Sequence, residues 1–168
     1  MNLFIAIPRQ WTPQVEHRTL HAMSEKSPLY DNDFFAWSRE QAELLRAGKL
    51  GEADIERIAD EIESLGRAEK GELIGAFRLL LLHLLRWRYQ PGRRGPSAEA
   101  RIRVLRNRVE DHLEVNPSLR TVLPEALAFA YRYAPQEAVA ETGLAASTFP
   151  AACPWTVEQA LDDSFWPG

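Results

Sequence analysis

His83 stands inside the most apolar run of the chain, Leu79-Leu80-Leu81-Leu82-His83-Leu84-Leu85, which breaks at once into Arg86-Trp87-Arg88-Tyr89-Gln90-Pro91. An imidazole in such a place can act as a general base or a metal ligand, because it changes charge near neutral pH and its neutral ring nitrogen binds cations. The simpler reading is a hydrogen-bonded core histidine, because no second histidine or cysteine lies three or four residues away. His17 and His21 do have the four-residue spacing that lets two imidazoles share a helix face.

Carboxylates are the second candidate. Asp60, Glu61 and Glu63 lie in a segment that reads as a helix, with Glu61 at the border of its apolar stripe and Asp54 on the same flank. Facing His83 from a neighbouring helix, they could hold a metal or form an acid/base pair. The plainer reading is a solvated acidic face with ordinary ion pairs.

Arginine is the third. Arg86, Arg88, Arg93, Arg94, Arg101, Arg103, Arg106 and Arg108 fall within 23 residues against Glu99 alone, a local charge of +7 in a chain of net charge −4. Trp87 and Tyr89 interleave with them, the composition of a phosphate or single-stranded nucleic-acid surface. Residues 52–72 carry eight acids against Arg57, Arg67 and Lys70, so internal pairing between the two segments is the simpler expectation. Cys153, between Pro150 and Pro154, has no histidine beside it and reads as a buried, inert thiol.

The elements that must position these groups are helical throughout. The chain has 168 residues, 45% of them apolar and 26% charged, enough for one domain with its own core. Its single cysteine fits a reducing cytosol, and the leucine run is too short to span a bilayer. Asp31, Asn32 or Asp33 can cap a first helix with Phe34, Trp37, Gln41, Leu44 and Leu45 on one face, stopped by Gly48. A second, at about 52–65, carries the stripe Ile55, Ile58, Ala59, Ile62 and Leu65. Gly66 either ends it or weakens one long helix continuing to Tyr89. Gly71 and Gly75 within the third helix, about 68–90, are expected to permit close packing.

Ser97 can cap the fourth helix, whose apolar face is Ala98, Ile102, Leu105, Val109 and Leu113, and Asn116-Pro117 ends it. A fifth helix runs from Ser118 or Leu123-Pro124 to Thr142, kinked before Pro135 and stopped by Gly143. Thr156-Val157-Glu158-Gln159 is a capping box for a short last helix ending near Asp162, and Phe165-Trp166-Pro167 is expected to dock back on the domain. Residues 1–27 lack a clear period and are expected to be a loosely ordered extension, within which Met23 reads as a natural start, with the helical domain over 28–168.

Together these motifs resemble a known bacterial family. They are Tyr30-Asp31-Asn32-Asp33-Phe34 with Trp37 and Gln41, Ala59-Asp60-Glu61-Ile62-Glu63-Ser64-Leu65-Gly66-Arg67, His83-Leu84-Leu85-Arg86-Trp87 with Gln90-Pro91, Pro117-Ser118-Leu119, Glu141-Thr142-Gly143-Leu144 and Cys153-Pro154-Trp155. The chain resembles the domain-of-unknown-function family 29 (DUF29) over about residues 29–167. The resemblance implies an all-helical fold and no established activity. It groups Glu61, Glu63, Arg67, His83 and Trp87 as a candidate polar cluster. Departures from the pattern include Asp60 in place of Glu, Arg86 in place of Lys, and Ala98 where Trp is common.

The sequence therefore leads to an all-α fold of five or six helices packed around a central Leu-rich helix at about 68–90. The first functional expectation is a cytosolic protein–protein interaction module, with a homodimer as one form, since no catalytic constellation is complete and the C-terminal tail is apolar. The second is a small-molecule or metal site from Glu61, Glu63 and His83, with Arg67 as anion anchor. The third, nucleic-acid or anion binding, draws on Arg86, Arg88, Arg93, Arg94 and Arg101. No cofactor, settled metal ligand set or membrane association is implied.

Overall fold

The computed structural model describes residues 28–168. Among them the chain forms seven α-helices, three short 3-10 turns and no strand. The segment 1–27, with His17 and His21, lies outside the described residues. The chain divides into two compact units, with the boundary between Ile58 and Ala59.

The described part of the first unit holds α1 (Pro28–Asn32) and α2 (Phe34–Arg46). Asp33 caps α2 as expected, its carboxylate accepting the Ala36 N–H at 2.9 Å. Gly48, at φ 70, closes the helix in the left-handed conformation that glycine adopts without a Cβ penalty. Tyr30 packs edge-on against Trp37 at 4.8 Å, and Phe34 lies 5.4 Å from Trp37. Of the expected α2 face, Trp37 and Gln41 are buried, while Phe34 and Leu45 stay exposed. The Gln41 side-chain carbonyl accepts the Asp54 N–H at 2.8 Å. That amide lies just ahead of α3 (Ile55–Tyr89), where helix-start donors lack intrahelical partners. Arg57 lies 4.3 Å over the Tyr30 ring and 3.6 Å from Asp54.

The second unit is built on the remainder of α3. Of the two readings at Gly66, the continuous one holds: no stop interrupts the helix before Gln90. The expectation that Gly71 and Gly75 permit close packing is corrected, because a Cβ at Gly66, Gly71 or Gly75 would meet nothing within 4 Å. The stripe expected for a separate second helix is not a packed face either. Ile62 and Leu65 are 64% and 68% exposed.

The leucine run behaves as its composition requires. Leu80, Leu81, Leu82, Leu84 and Leu85 are buried all around the helix, with Leu73, Ala76 and Phe77 leading into them. Against them pack Ile102, Leu105, Val109 and Leu113 of α4 (Pro96–Val115), the face read from the sequence. Ala126, Leu127, Ala130 and Tyr131 come from α5 (Leu123–Tyr131), and Ala134 and Ala138 from α6 (Ala134–Thr142). Pro135 was expected to kink one helix. It separates two, because it lacks an N–H and its ring crowds the carbonyl four residues back. With α1, this break accounts for seven helices against the expected five or six. Gly143, at φ 71, stops α6. Thr156 and Gln159 form the capping box of α7 (Val157–Leu161), and Asp162 follows it.

The C-terminal tail does fold back, and a buried arginine holds it. Arg106 is 1% exposed. Its guanidinium donates to the Ala160 carbonyl at 3.0 Å and to the Phe165 carbonyl at 2.7 Å. Trp166 lies 5.2 Å from that guanidinium and 4.6 Å from Trp87, and Pro167 is buried. Burying an arginine is costly unless its donors are met. Here Nε and Nη2 are met by the tail's carbonyls while Nη1 is buried without a partner, so a charge that reads as surface in sequence clamps the chain end at some cost.

Gly71 is exposed, helical and free of neighbours, so it lowers stability through backbone entropy alone. Gly71→Ala is expected to stabilise the fold by about 0.5–1 kcal/mol, read as a higher urea midpoint at unchanged slope. A lower midpoint would mean that something packs closely on this glycine.

Candidate anion-binding pocket

Two consecutive helices and the turn between them build one cavity of about 330 Å³. On α3, His83, Arg86 and Trp87 share a face through their three- and four-residue spacing. Gln90 ends the helix, Pro91–Arg93 makes one 3-10 turn, and α4 starts at Pro96. Arg93 lines the cavity from the turn, and Ser97, Ala98 and Arg101 line it from the first turns of α4.

The start of α4 corrects the sequence reading. Gly95, not Ser97, is the N-cap, Pro96 takes the first position, and no side chain caps the helix. Proline's preference for the first helical position was the signal for this boundary. Ser97 is thereby released from capping. The first backbone bond of the helix runs from the Glu99 N–H to the Gly95 carbonyl at 3.0 Å. The Ser97 and Ala98 amides precede it, and helix geometry gives them no intrahelical acceptor. A helix N-terminus carries partial positive charge, so it adds to the arginines around it.

Three guanidinium groups converge here, with one internal counter-charge. Arg86 donates to the Glu141 carboxylate of α6 at 2.6 Å. Arg93 and Arg101 have no ion pair among the described residues. His83 is held below its ordinary pKa of 6.5, first by burial and then by the Arg86 charge. Glu141 opposes this, and Arg101 reinforces it. The imidazole thus senses a positive site.

Of the candidate polar cluster, the structure keeps His83 and Trp87 together but brings none of Glu61, Glu63 and Arg67 to them. All five stand on the same continuous helix, where Glu61 precedes His83 by 22 residues, about 33 Å along the axis. Arg67 instead pairs with Glu63 at 3.4 Å on an exposed face. Among the described residues no group of three or more His, Cys, Asp or Glu side chains could hold a metal ion.

The arginine set divides as well. Arg86, Arg93 and Arg101 line the pocket. Arg88 is exposed, 5.5 Å over the Tyr89 ring. Arg94 donates to the Trp87 carbonyl at 2.8 Å and to the Arg88 carbonyl at 3.5 Å, serving the acceptors left open at the end of α3. The expected pairing between the arginine segment and the 52–72 acids is replaced by other partners: Glu141 for Arg86, Glu99 for Arg103, and backbone carbonyls for Arg94 and Arg106. Sequence reading missed Glu141 as a site residue, since nothing local links it to Arg86, 55 positions earlier. Cys153 is half-buried, donates to the Trp155 carbonyl at 3.4 Å and is pushed up in pKa by burial, as an inert thiol would be.

The family model of a domain of unknown function, DUF29, matches residues 29–166. The chain belongs to the DUF29 family. The matched span contains the whole pocket, both helices that line it, and the tail that packs on Trp87. Comparisons with curated proteins and with solved structures gave no match. Among the described residues, no helix is long and apolar enough to cross a membrane.

A histidine whose folded pKa lies below 6.5 takes up its proton first in the unfolded chain. Its stabilising effect is therefore complete above that pH and declines as pH falls below it. Melting temperature is expected to drop between pH 7.5 and 5, and the drop should be shallower in His83→Gln. An identical pH profile in the variant would show that His83 does not sit in the environment described.

Proposed function

We propose that this DUF29 protein is a binding protein for a small anionic ligand, held in the pocket between α3 and α4. One observation carries the reading: Arg86, Arg93 and Arg101 converge, from three separate elements, on a single cavity that also receives the uncapped start of α4. Like charges repel, so three guanidinium groups with one carboxylate make a net positive site that an anion would neutralise, although water screens the exposed Arg93 and Arg101. Ser97 and His83 both line the pocket but share no hydrogen bond, so no activated nucleophile is formed and the reading is of binding rather than turnover. A cytosolic location fits it, since a single cysteine offers no internal disulfide.

Nucleic-acid binding is the less favoured use of the same charge. Of the arginines from 86 to 108, three enter the pocket, Arg94 serves the end of α3, and Arg106 is buried under the tail. What remains is too divided for a groove that follows a strand.

Screening anions by thermal shift and calorimetry at low and high salt tests the proposal. Arg93→Met and Arg101→Met are each expected to weaken the best anion about tenfold or more, with a shallower salt dependence. Unchanged affinity in both variants would overturn the reading.

A second reading, self-association, is favoured by the exposed Ile62 and Leu65, one helical turn apart on α3. Their acidic surroundings, with Asp60, Glu63 and Glu69 nearby, complement the exposed Arg101, Val104 and Arg108 on α4 of a second copy. Sedimentation should then give a dimer that Ile62→Ser/Leu65→Ser dissociates. A wild-type monomer at high micromolar concentration would dismiss it.

A further inference from the structure

The charge of the pocket constrains its occupant more narrowly than the word anion does. Three guanidinium groups line the cavity and one of them, Arg86, is paired with the Glu141 carboxylate, so the site carries a formal +2 when His83 is neutral. A monocarboxylate would leave one positive charge uncompensated beside Trp87 and the leucine helix. A phosphoryl group on a single ester bond carries about −1.5 to −2 at neutral pH and offers three strong acceptor oxygens. Those oxygens match donors that arrive from three directions: Arg86 from α3, Arg93 from the turn and Arg101 from α4. The Ser97 and Ala98 amides lie at the positive end of a 20-residue helix, where phosphate groups bind readily.

Size gives a second constraint. About 330 Å³ is near the lower end of ligand pockets, which run about 300–1,000 Å³. Trp87 is already engaged by Trp166 at 4.6 Å and by the Arg94 guanidinium at 5.7 Å, which argues against a stacked base. The fit is to a phosphate bearing at most a compact organic group.

We infer that the occupant of this pocket is a phosphoryl dianion, either free phosphate or the head of a small phosphate monoester, gripped by Arg86, Arg93 and Arg101 across the first turn of α4. The inference rests on the anion-pocket reading above. In this arrangement Glu141 is a positioning residue. It holds the Arg86 guanidinium in place and lowers the site's charge to the value that a dianion neutralises.

The test is titration calorimetry on the full chain at pH 7.5 with inorganic phosphate, methyl phosphate, dimethyl phosphate and acetate. Phosphate or methyl phosphate is expected to bind at least about tenfold more tightly than dimethyl phosphate and acetate, which carry one charge each. Tighter binding of methyl phosphate assigns a monoester, and tighter binding of phosphate assigns the free ion. Ala98→Trp fills the cavity without changing its charge and should abolish binding. Arg101→Gln, which leaves the helix start intact, should weaken the dianions more than acetate. Acetate binding as tightly as methyl phosphate would overturn the dianion and leave the anion pocket standing. No anion binding at all would overturn both. Full affinity in folded Ala98→Trp, or an equal loss for every anion in Arg101→Gln, would also overturn the assignment.

Discussion

Every backbone donor and acceptor inside a helix is satisfied by its neighbours four residues away, so a helix that runs unbroken fixes the spacing of everything along it. In this protein α3 runs unbroken from Ile55 through three glycines to Tyr89. That continuity keeps Glu61, Glu63 and Arg67 a fixed distance from His83. It also sets His83, Arg86 and Trp87 on the last turns, where the buried leucines give way to charge. The acidic and basic segments become two stretches served by different partners rather than two facing helices.

The pocket follows from how the chain turns after that helix ends. The carbonyls at the end of α3 need donors, and Arg94 supplies them. The amides at the start of α4 need acceptors, and Gly95-Pro96 supplies no side chain to serve them. One terminus is closed from within and the neighbouring one is left open. Arg86, Arg93 and Arg101 surround the open one. The tail fixes the other side of Trp87 through Trp166, held in turn by the buried Arg106. Closely placed arginines thus divide by partner: Arg94 and Arg106 serve the fold, and three face a cavity.

Features decided within a few residues were legible in the sequence. Asp33 capping α2, Gly48 and Gly143 at positive φ, the Thr156–Gln159 box and the buried leucines all stand where local rules put them. The α4 face of Ile102, Leu105, Val109 and Leu113 follows from period alone. The misses share a cause. Ser97 had the chemistry of a cap, but the Pro96 ring with its fixed φ moved the boundary. Gly71 and Gly75 suggested close packing, but whether anything approaches them depends on other helices. Ile62 and Leu65 had the period of a buried stripe, and period says nothing about whether a partner exists for it.

His83 shows where the division lies. The apolar run by itself determined that the 79–85 stretch of its helix is buried on nearly all sides, because apolar side chains around the circumference leave little face for water. The sequence also showed that an unusual density of arginine follows, and that the fold is helical, since the apolar period is near 3.6 throughout. Only the tertiary structure decided that Arg93 and Arg101 join His83 and Arg86 at one cavity. It also decided that Glu141, 55 residues beyond Arg86, supplies the counter-charge. Helical period and capping act over one or two turns, whereas charge acts through space and depends on which distant residues the packed core brings near.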